Sequence, residues 1–193
     1  MGQGALALVV GPSGAGKDTL LGAAKTALAE DDRFVFPRRV VTRDAMAELE
    51  DHDTLDRNGF NLERLRGAFA LDWEAHGLCY GVPAAIETAM AEGRVVVVNT
   101  SRKVIELALE KYPQCFVLLV TASPEVRAQR LAGRGRETAE EVAARLRHEG
   151  APIPAGVEAV TIDNSGSLEE GIAGFVRALQ RIAVPAPTPA GET

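Results

Sequence analysis

Cysteine is nearly absent from this 193-residue chain, which has only Cys79 and Cys115. Two are too few for a disulfide framework, and no Cys/His spacing fits a metal site. Cys115 opens an apolar run and reads as a reduced core residue. Net positive charge is lacking too: 21 Lys and Arg stand against 27 Asp and Glu, for a net charge of −6. No global basic field draws in nucleic acid, so an anionic substrate must be held by a local cluster of cations. Apolar runs long enough for a membrane helix are missing; the longest span one strand each. The N-terminus has no basic region followed by a long apolar stretch, so no signal peptide is expected. A cytoplasmic enzyme without nucleic-acid or membrane partners is the expectation. What is present is ordinary for a globular domain, 46% hydrophobic and 25% charged, in a length that fits one domain.

Short buried runs alternate with helical patterns. Ala5 to Val10, Val95 to Val98, Cys115 to Val120 and Val157 to Ile162 read as strands, and Arg38 to Thr42 as a more polar one. Helices are expected over Lys17 to Ala29, Leu62 to Phe69, Pro83 to Glu92, Lys103 to Lys111, Pro124 to Gly133, Thr138 to Glu149 and Leu168 to Ile182. Ser123 with Pro124 marks an N-cap, and Thr138 with Glu141 a capping box. Asp44 to Asn58 is acidic and reads as a loop with at most one helical turn. The pattern implies an α/β fold, a mostly parallel sheet covered by helices on both faces. The tail from Ala183 to Thr193 has three of the ten prolines and no periodicity, and reads as disordered.

The sharpest motif is Gly11-Pro12-Ser13-Gly14-Ala15-Gly16-Lys17, the G-x-x-x-x-G-K core of a phosphate loop. Its glycines let backbone amides turn around phosphate oxygens, Lys17 adds a point charge, and the next helix aims its positive end at the same anion. Strand, loop and helix follow in the required order, so ATP is the expected nucleotide. The residue after Lys17 is normally Ser or Thr, whose hydroxyl meets Mg²⁺. Here it is Asp18, with Thr19 behind it. A carboxylate is a hard oxygen ligand, so Asp18 is the expected metal residue and Thr19 the lesser candidate. Many such enzymes also end a buried strand with Asp; here the strand runs into Asn99, Thr100, Ser101 and Arg102. Asn99 brings no charge, which makes the acidic replacement at position 18 sensible.

Further arginines cluster in two places. Arg127, Arg130, Arg134, Arg136 and Arg145 lie in and beside Gly133-Arg134-Gly135-Arg136. A solvated cationic helix face is the plain reading. A lid closing over polyphosphate is favoured, with Arg134 and Arg136 leading and Arg127 the member expected to be merely exposed. Alternation puts Arg39 and Arg43 on one strand face, suited either to an acceptor phosphate or to protecting an edge strand. Between these clusters, Ala70 to Gly81 holds the single tryptophan, Trp73, with His76 and Tyr80. Trp73 reads as packing and His76 as structural; Tyr80 offers a phenolic donor to a phosphate.

Taken together, the phosphate loop, Thr42-Arg43, His76-Gly77 to Tyr80-Gly81, and Arg130-Leu131 to Arg134-Gly135 resemble the guanylate-kinase-like family of P-loop kinases over about residues 5–182. Lys17-Asp18, Ala70-Leu71-Asp72-Trp73 running to Val82, Asn99 to Arg102, and Arg134 to Glu137 are similar to its ribose 1,5-bisphosphate phosphokinase branch. The resemblance implies a three-part kinase over residues 1–182, with an acceptor-binding insertion at about 38–82 and a lid at about 125–150. It implies ATP-dependent phosphorylation of ribose 1,5-bisphosphate to 5-phosphoribosyl 1-diphosphate, in phosphonate breakdown and the supply of NAD synthesis. Carried over, Arg39, Arg43, Tyr80 and Arg102 hold a phosphorylated sugar. Arg134, Arg136 and Arg145 stabilise the transferring group, and Asn164 contacts the adenine end. Guanylate kinases read guanine with a Glu that aligns with Leu71; Asp72 is one position off. That departure argues against guanine as the acceptor.

Overall fold

Ala5–Val10 is six apolar residues in a row, and the fold buries every one of them as strand β1. Only a central parallel strand, covered on both faces, needs such a run. The structure, a computed structural model, describes residues 4–43, 52–75, 77–133 and 152–183. In chain order its strands are β1, β2 (Phe34–Val35), β3 (Arg39–Val41), β4 (His52–Thr54), β5 (Phe69–Ala75), β6 (Leu78–Pro83), β7 (Val95–Asn99), β8 (Cys115–Thr121) and β9 (Ala159–Asp163). The helices are α1 (Lys17–Ala27), α2 (Arg57–Leu65), α3 (Ile86–Ala91), α4 (Ile105–Lys111), α5 (Pro124–Ala132) and α6 (Leu168–Ile182), with a 3-10 turn at Arg102–Val104.

A five-stranded sheet in the order β2-β7-β1-β8-β9 is parallel throughout. Alternation along β1 splits the core. Ala5, Ala7 and Val9 face a layer that includes Leu20 and Ala24 of α1 and Phe175 and Leu179 of α6. Leu6, Leu8 and Val10 face the other side, with Ile86 of α3, Ile105 of α4, and Leu71, Trp73 and Val82 of the second sheet. Ser123 caps α5 as expected. Ser167 and Glu170 form a reciprocal capping box at α6, on the Ser-x-x-Glu spacing that marks a helix start.

The second sheet is the main departure from expectation. It is four-stranded, in the order β4-β3-β6-β5, with β3 parallel to β4 and antiparallel to β6, and β5 antiparallel to β6. Part of the expected acidic loop is strand β4, and α2 starts at Arg57 rather than Leu62. Phe69 opens β5 instead of closing a helix, because its ring stacks on Phe60 of α2 at 4.6 Å between centroids. That contact leaves no room for a side chain at Gly81 on the neighbouring strand. The expected helix at Thr138 to Glu149 and most of the tail lie outside the described residues. No helix among the described residues is long and apolar enough to cross a membrane.

Candidate active site

The phosphate loop leaves β1 at Gly11 and enters α1 at Lys17, at the C-terminal edge of the parallel sheet, where ligands of open α/β sheets bind. Gly14 and Gly16 have φ of 81° and 92°, left-handed values that favour glycine. A Cβ on Gly16 would run into the Asn164 amide, so this turn is specified twice. Gly16 caps α1 without a side-chain hydrogen bond. The first-turn amides of α1 are therefore not covered by a capping side chain. Lys17 Nζ donates to the carbonyls of Gly11 (2.8 Å) and Pro12 (3.1 Å), which holds its charge across the mouth of the loop. Ser13 and Pro12 complete the rim, and Ala15 is fully buried at its base.

From beneath, three side chains grip the loop. Arg127 Nε donates to the Ser13 carbonyl at 3.1 Å. Arg130 donates to the carbonyls of Ala15 (3.4 Å) and Asn164 (2.9 Å). Asn164 Nδ2 donates to Ala15 at 2.8 Å, and its own amide to Thr121 at the end of β8. Arg127, expected to be merely exposed, is buried at 4% exposure; its spacing from Arg130 and Leu131 on one helix face was the available signal. Asn164 is 1% exposed. Its side-chain Nδ2 is given to the loop carbonyl of Ala15, which supports the nucleotide site from below.

Asp18 and Thr19 are exposed on the first turn of α1. Asn99, at the end of β7, donates its Nδ2 to Asp18 Oδ1 at 2.6 Å. An exposed carboxylate beside Lys17, with one oxygen anchored and lone pairs to spare, is a donor set that fits Mg²⁺. Among the described residues no group of three His, Cys, Asp or Glu side chains gathers that could hold a metal ion by itself.

Arg39, Arg43 and Tyr80, expected to hold the acceptor, lie on or beside the second sheet, called the acceptor sheet after that expectation. Tyr80 lies opposite Trp73, their rings stacked at 5.3 Å and 5°. The Arg39 guanidinium sits 5.8 Å from the Tyr80 ring centre, within cation–π range. Trp73 is buried, as the packing reading expects. Arg39 and Arg43 do not share a strand face, because β3 stops at Val41. Arg43 instead lines a cavity of about 370 Å³ with Thr42, Asp56, Arg57 and Gly77 among its walls. Nor is β3 an edge strand; β4 and β5 hold the edges, so edge protection does not explain these cations. Arg102 opens the turn after β7, and Lys103 beside it donates to the Glu74 carbonyl of β5 at 3.2 Å. This links the phosphate edge to the acceptor sheet.

Leu71 is 1% exposed and part of the core. Asp72 pairs with Arg64 at 2.6 Å. Glu74 pairs with Arg57 at 3.0 Å; the Arg57 hydrogen bond, and after it one from the Cys79 thiol, hold its carboxyl below the usual glutamate range. Arg134, Arg136 and Arg145 lie outside the described residues, as does His76.

No family model matches the chain. It is 47% identical over 182 residues to a protein of Brucella melitensis named ribose 1,5-bisphosphate phosphokinase PhnN, covering 94% of this chain and 95% of the relative. A Methylobacterium radiotolerans protein of the same name is 49% identical over 178 residues, 92% of this chain and 98% of its own. A bifunctional ribose 1,5-bisphosphokinase-thymidine phosphorylase of Azorhizobium caulinodans is 45% identical over 93% of this chain, but the match spans only 26% of that protein. Among solved structures, a guanylate kinase from Anaplasma phagocytophilum matches with a TM-score of 0.62 and 18% identity, over 94% of this chain and 85% of its own. A gluconokinase from Sinorhizobium meliloti gives 0.52 and 19%, over 94% of both chains. These likenesses show the P-loop kinase fold, and the closer sequence identities show that the chain belongs to the ribose 1,5-bisphosphate phosphokinase (PhnN) family.

Proposed function

We propose that this chain transfers the γ-phosphoryl group of ATP to the 1-phosphate of ribose 1,5-bisphosphate, releasing ADP and 5-phosphoribosyl 1-diphosphate. The observation that carries this choice of acceptor is the state of β5. The position aligned with the guanine-reading carboxylate is Leu71, sunk in the core, and the nearby Asp72 and Glu74 are each closed on an arginine. A purine edge finds no carboxylate awaiting it there, whereas Tyr80, Arg39 and Arg43 offer donors to phosphate.

In this reading an oxygen of the 1-phosphate attacks Pγ while the bond from Pγ to the β,γ-bridging oxygen breaks. The acceptor is already anionic at neutral pH, so no general base is required. Lys17 and the loop amides hold the β- and γ-phosphates in line. Asp18 would hold Mg²⁺, which when bound supplies charge neutralisation on those phosphates. Arg134, Arg136 and Arg145 are assigned to the transferring group, in a lid at about residues 125–150. Arg39, Arg43, Tyr80 and Arg102 are assigned to the sugar phosphates, in an insertion at about 38–82. The setting is cytoplasmic, in phosphonate catabolism and the supply of 5-phosphoribosyl 1-diphosphate to NAD synthesis.

The test is ADP formation with ATP, Mg²⁺ and either ribose 1,5-bisphosphate or GMP. Turnover on the sugar alone is expected. Turnover on GMP alone would keep the phosphate chemistry and overturn the acceptor; ATP binding without turnover on either would point to a non-catalytic nucleotide-binding module.

A further inference from the structure

Two residues of the phosphate site break the common P-loop pattern, and they touch. Asp18 stands where a hydroxyl normally meets the metal, and Asn99 where the strand often ends in a carboxylate. They are 81 residues apart in sequence, yet Asn99 Nδ2 donates to Asp18 Oδ1 at 2.6 Å. Deepening the kinase reading above, and resting on its nucleotide half, we infer that the two positions have exchanged roles. Asp18 is the carboxylate of the metal–nucleotide site, and Asn99 is a positioning residue that fixes which of its oxygens faces the metal.

The geometry supports an exchange rather than two unrelated changes. Asn99 pairs in register with Val9 of β1, two residues before Gly11, and the next amide, Thr100, donates to the Val9 carbonyl at 3.0 Å. The strand end and the first turn of α1 therefore meet at one corner of the loop. A hydroxyl on the helix and a carboxylate on the strand carry one negative charge between them. So do a carboxylate on the helix and an amide on the strand. Two carboxylates would face each other beside a polyphosphate, with repulsion that only a bound cation relieves. The amide occupies Oδ1 through its donor side, and a carboxylate has about four acceptor positions on two oxygens, so Oδ2 keeps its capacity for a cation. Mg²⁺ sites in phosphoryl-transfer enzymes commonly use one or two carboxylates together with phosphate oxygens. Asp18 is exposed, so its charge carries no large desolvation cost there.

The competing role is a tie between loop and strand that has no part in metal binding. Metal-free and metal-loaded nucleotide separate the two. The full chain is titrated with ADP in EDTA and with ADP plus Mn²⁺, by calorimetry and by the Mn²⁺ paramagnetic resonance signal. Asp18→Asn should weaken Mn²⁺·ADP by about tenfold or more and leave metal-free ADP as tight or tighter. The double change Asp18→Ser with Asn99→Asp should recover most of that loss. Asn99→Asp alone, a near-isosteric change at a half-buried strand end and expected to fold, should weaken metal-free ADP about fivefold and Mn²⁺·ADP much less. Equal weakening with and without Mn²⁺ in either single variant, or no loss of Mn²⁺·ADP in Asp18→Asn, overturns the exchange. If the wild-type chain binds Mn²⁺·ADP with these variant effects and fails on ribose 1,5-bisphosphate, the exchange stands and only the acceptor reading falls.

Discussion

One buried amide ties the phosphate loop to the sheet, and its chemistry makes a sharp substitution available. Asn164 donates through Nδ2 to the Ala15 carbonyl at 2.8 Å, while its Oδ1 is buried with no hydrogen-bond partner among the described residues. Asn164→Asp keeps the shape but sets a carboxylate oxygen against that carbonyl. It is expected to cost about 2–4 kcal/mol in urea unfolding and to loosen ATP binding. Asn164→Ala should cost less, about 1–3 kcal/mol, since it removes the donor without adding a charge. An unfolding midpoint equal to wild type in both variants would show that the loop does not depend on this contact. Lys17→Ala asks a different question, because Lys17 Nζ donates to carbonyls of the loop itself, at Gly11 and Pro12. It should fold normally and lose about 10²-fold or more in kcat, read by ADP formation. The loop residues themselves are legible in the sequence because their spacing is local. Asn164's partner is not, because 149 residues separate it from Ala15. Arg127 is misread for the same reason: an arginine on a short helix is exposed by default, and only the packing of α5 under the loop buries it.

At the scale of elements, legibility follows burial. β1, β7 and β8 are apolar runs because both their faces are covered, and the runs announce them. β5, β6 and the turn between them carry Asp72, Glu74, Gly77 and Gly81, so no clean alternation marks them; the pairing of Trp73 with Tyr80 and of Phe69 with Phe60 decides their conformation. β2 and β4 are two and three residues long, too short for any period. One tie between elements has a pH signature. Glu87 of α3 meets Lys111 of α4 at 2.9 Å and accepts from the Tyr112 hydroxyl at 2.7 Å. Lys111 also donates to the Ala70 carbonyl of β5 at 3.1 Å, so this corner joins the helical layer to the acceptor sheet. The hydrogen bond from Lys111, and after it that from Tyr112, lower the Glu87 carboxyl below its ordinary value of 4.5. A carboxyl depressed in the folded state stabilises above its unfolded value and loses that contribution as pH falls through the folded one. Glu87→Gln should therefore lower stability at pH 7 by less than about 1 kcal/mol, the pair being solvent-screened. The gap to wild type should close in acid. A gap that persists or widens as the pH falls would place the effect in packing rather than charge.

The whole molecule joins two sheets through one apolar layer, and that joint predicts how it unfolds. Leu71, Trp73 and Val82 of the acceptor sheet pack in the same cluster as Leu6, Leu8 and Val10 of β1 and Val96 and Val98 of β7. An acceptor module that moved as a separate body would expose this face each time it opened. Burying it instead makes the two sheets share their hydrophobic stabilisation, since neither covers its own inner face alone. The single tryptophan, Trp73, belongs to the acceptor sheet, whereas most of the described helical residues pack around the parallel sheet. Tryptophan emission and far-ultraviolet circular dichroism thus report different halves of the molecule. In urea at equilibrium the two signals should fall together, with one midpoint, as expected of a single cooperative unit. Val82→Ala, which thins the joint at a fully buried site, should lower that midpoint for both signals alike. A tryptophan transition that precedes the dichroism transition in the wild-type chain would mean that the acceptor sheet unfolds by itself. The shared apolar layer would then be a contact between two units rather than the core of one.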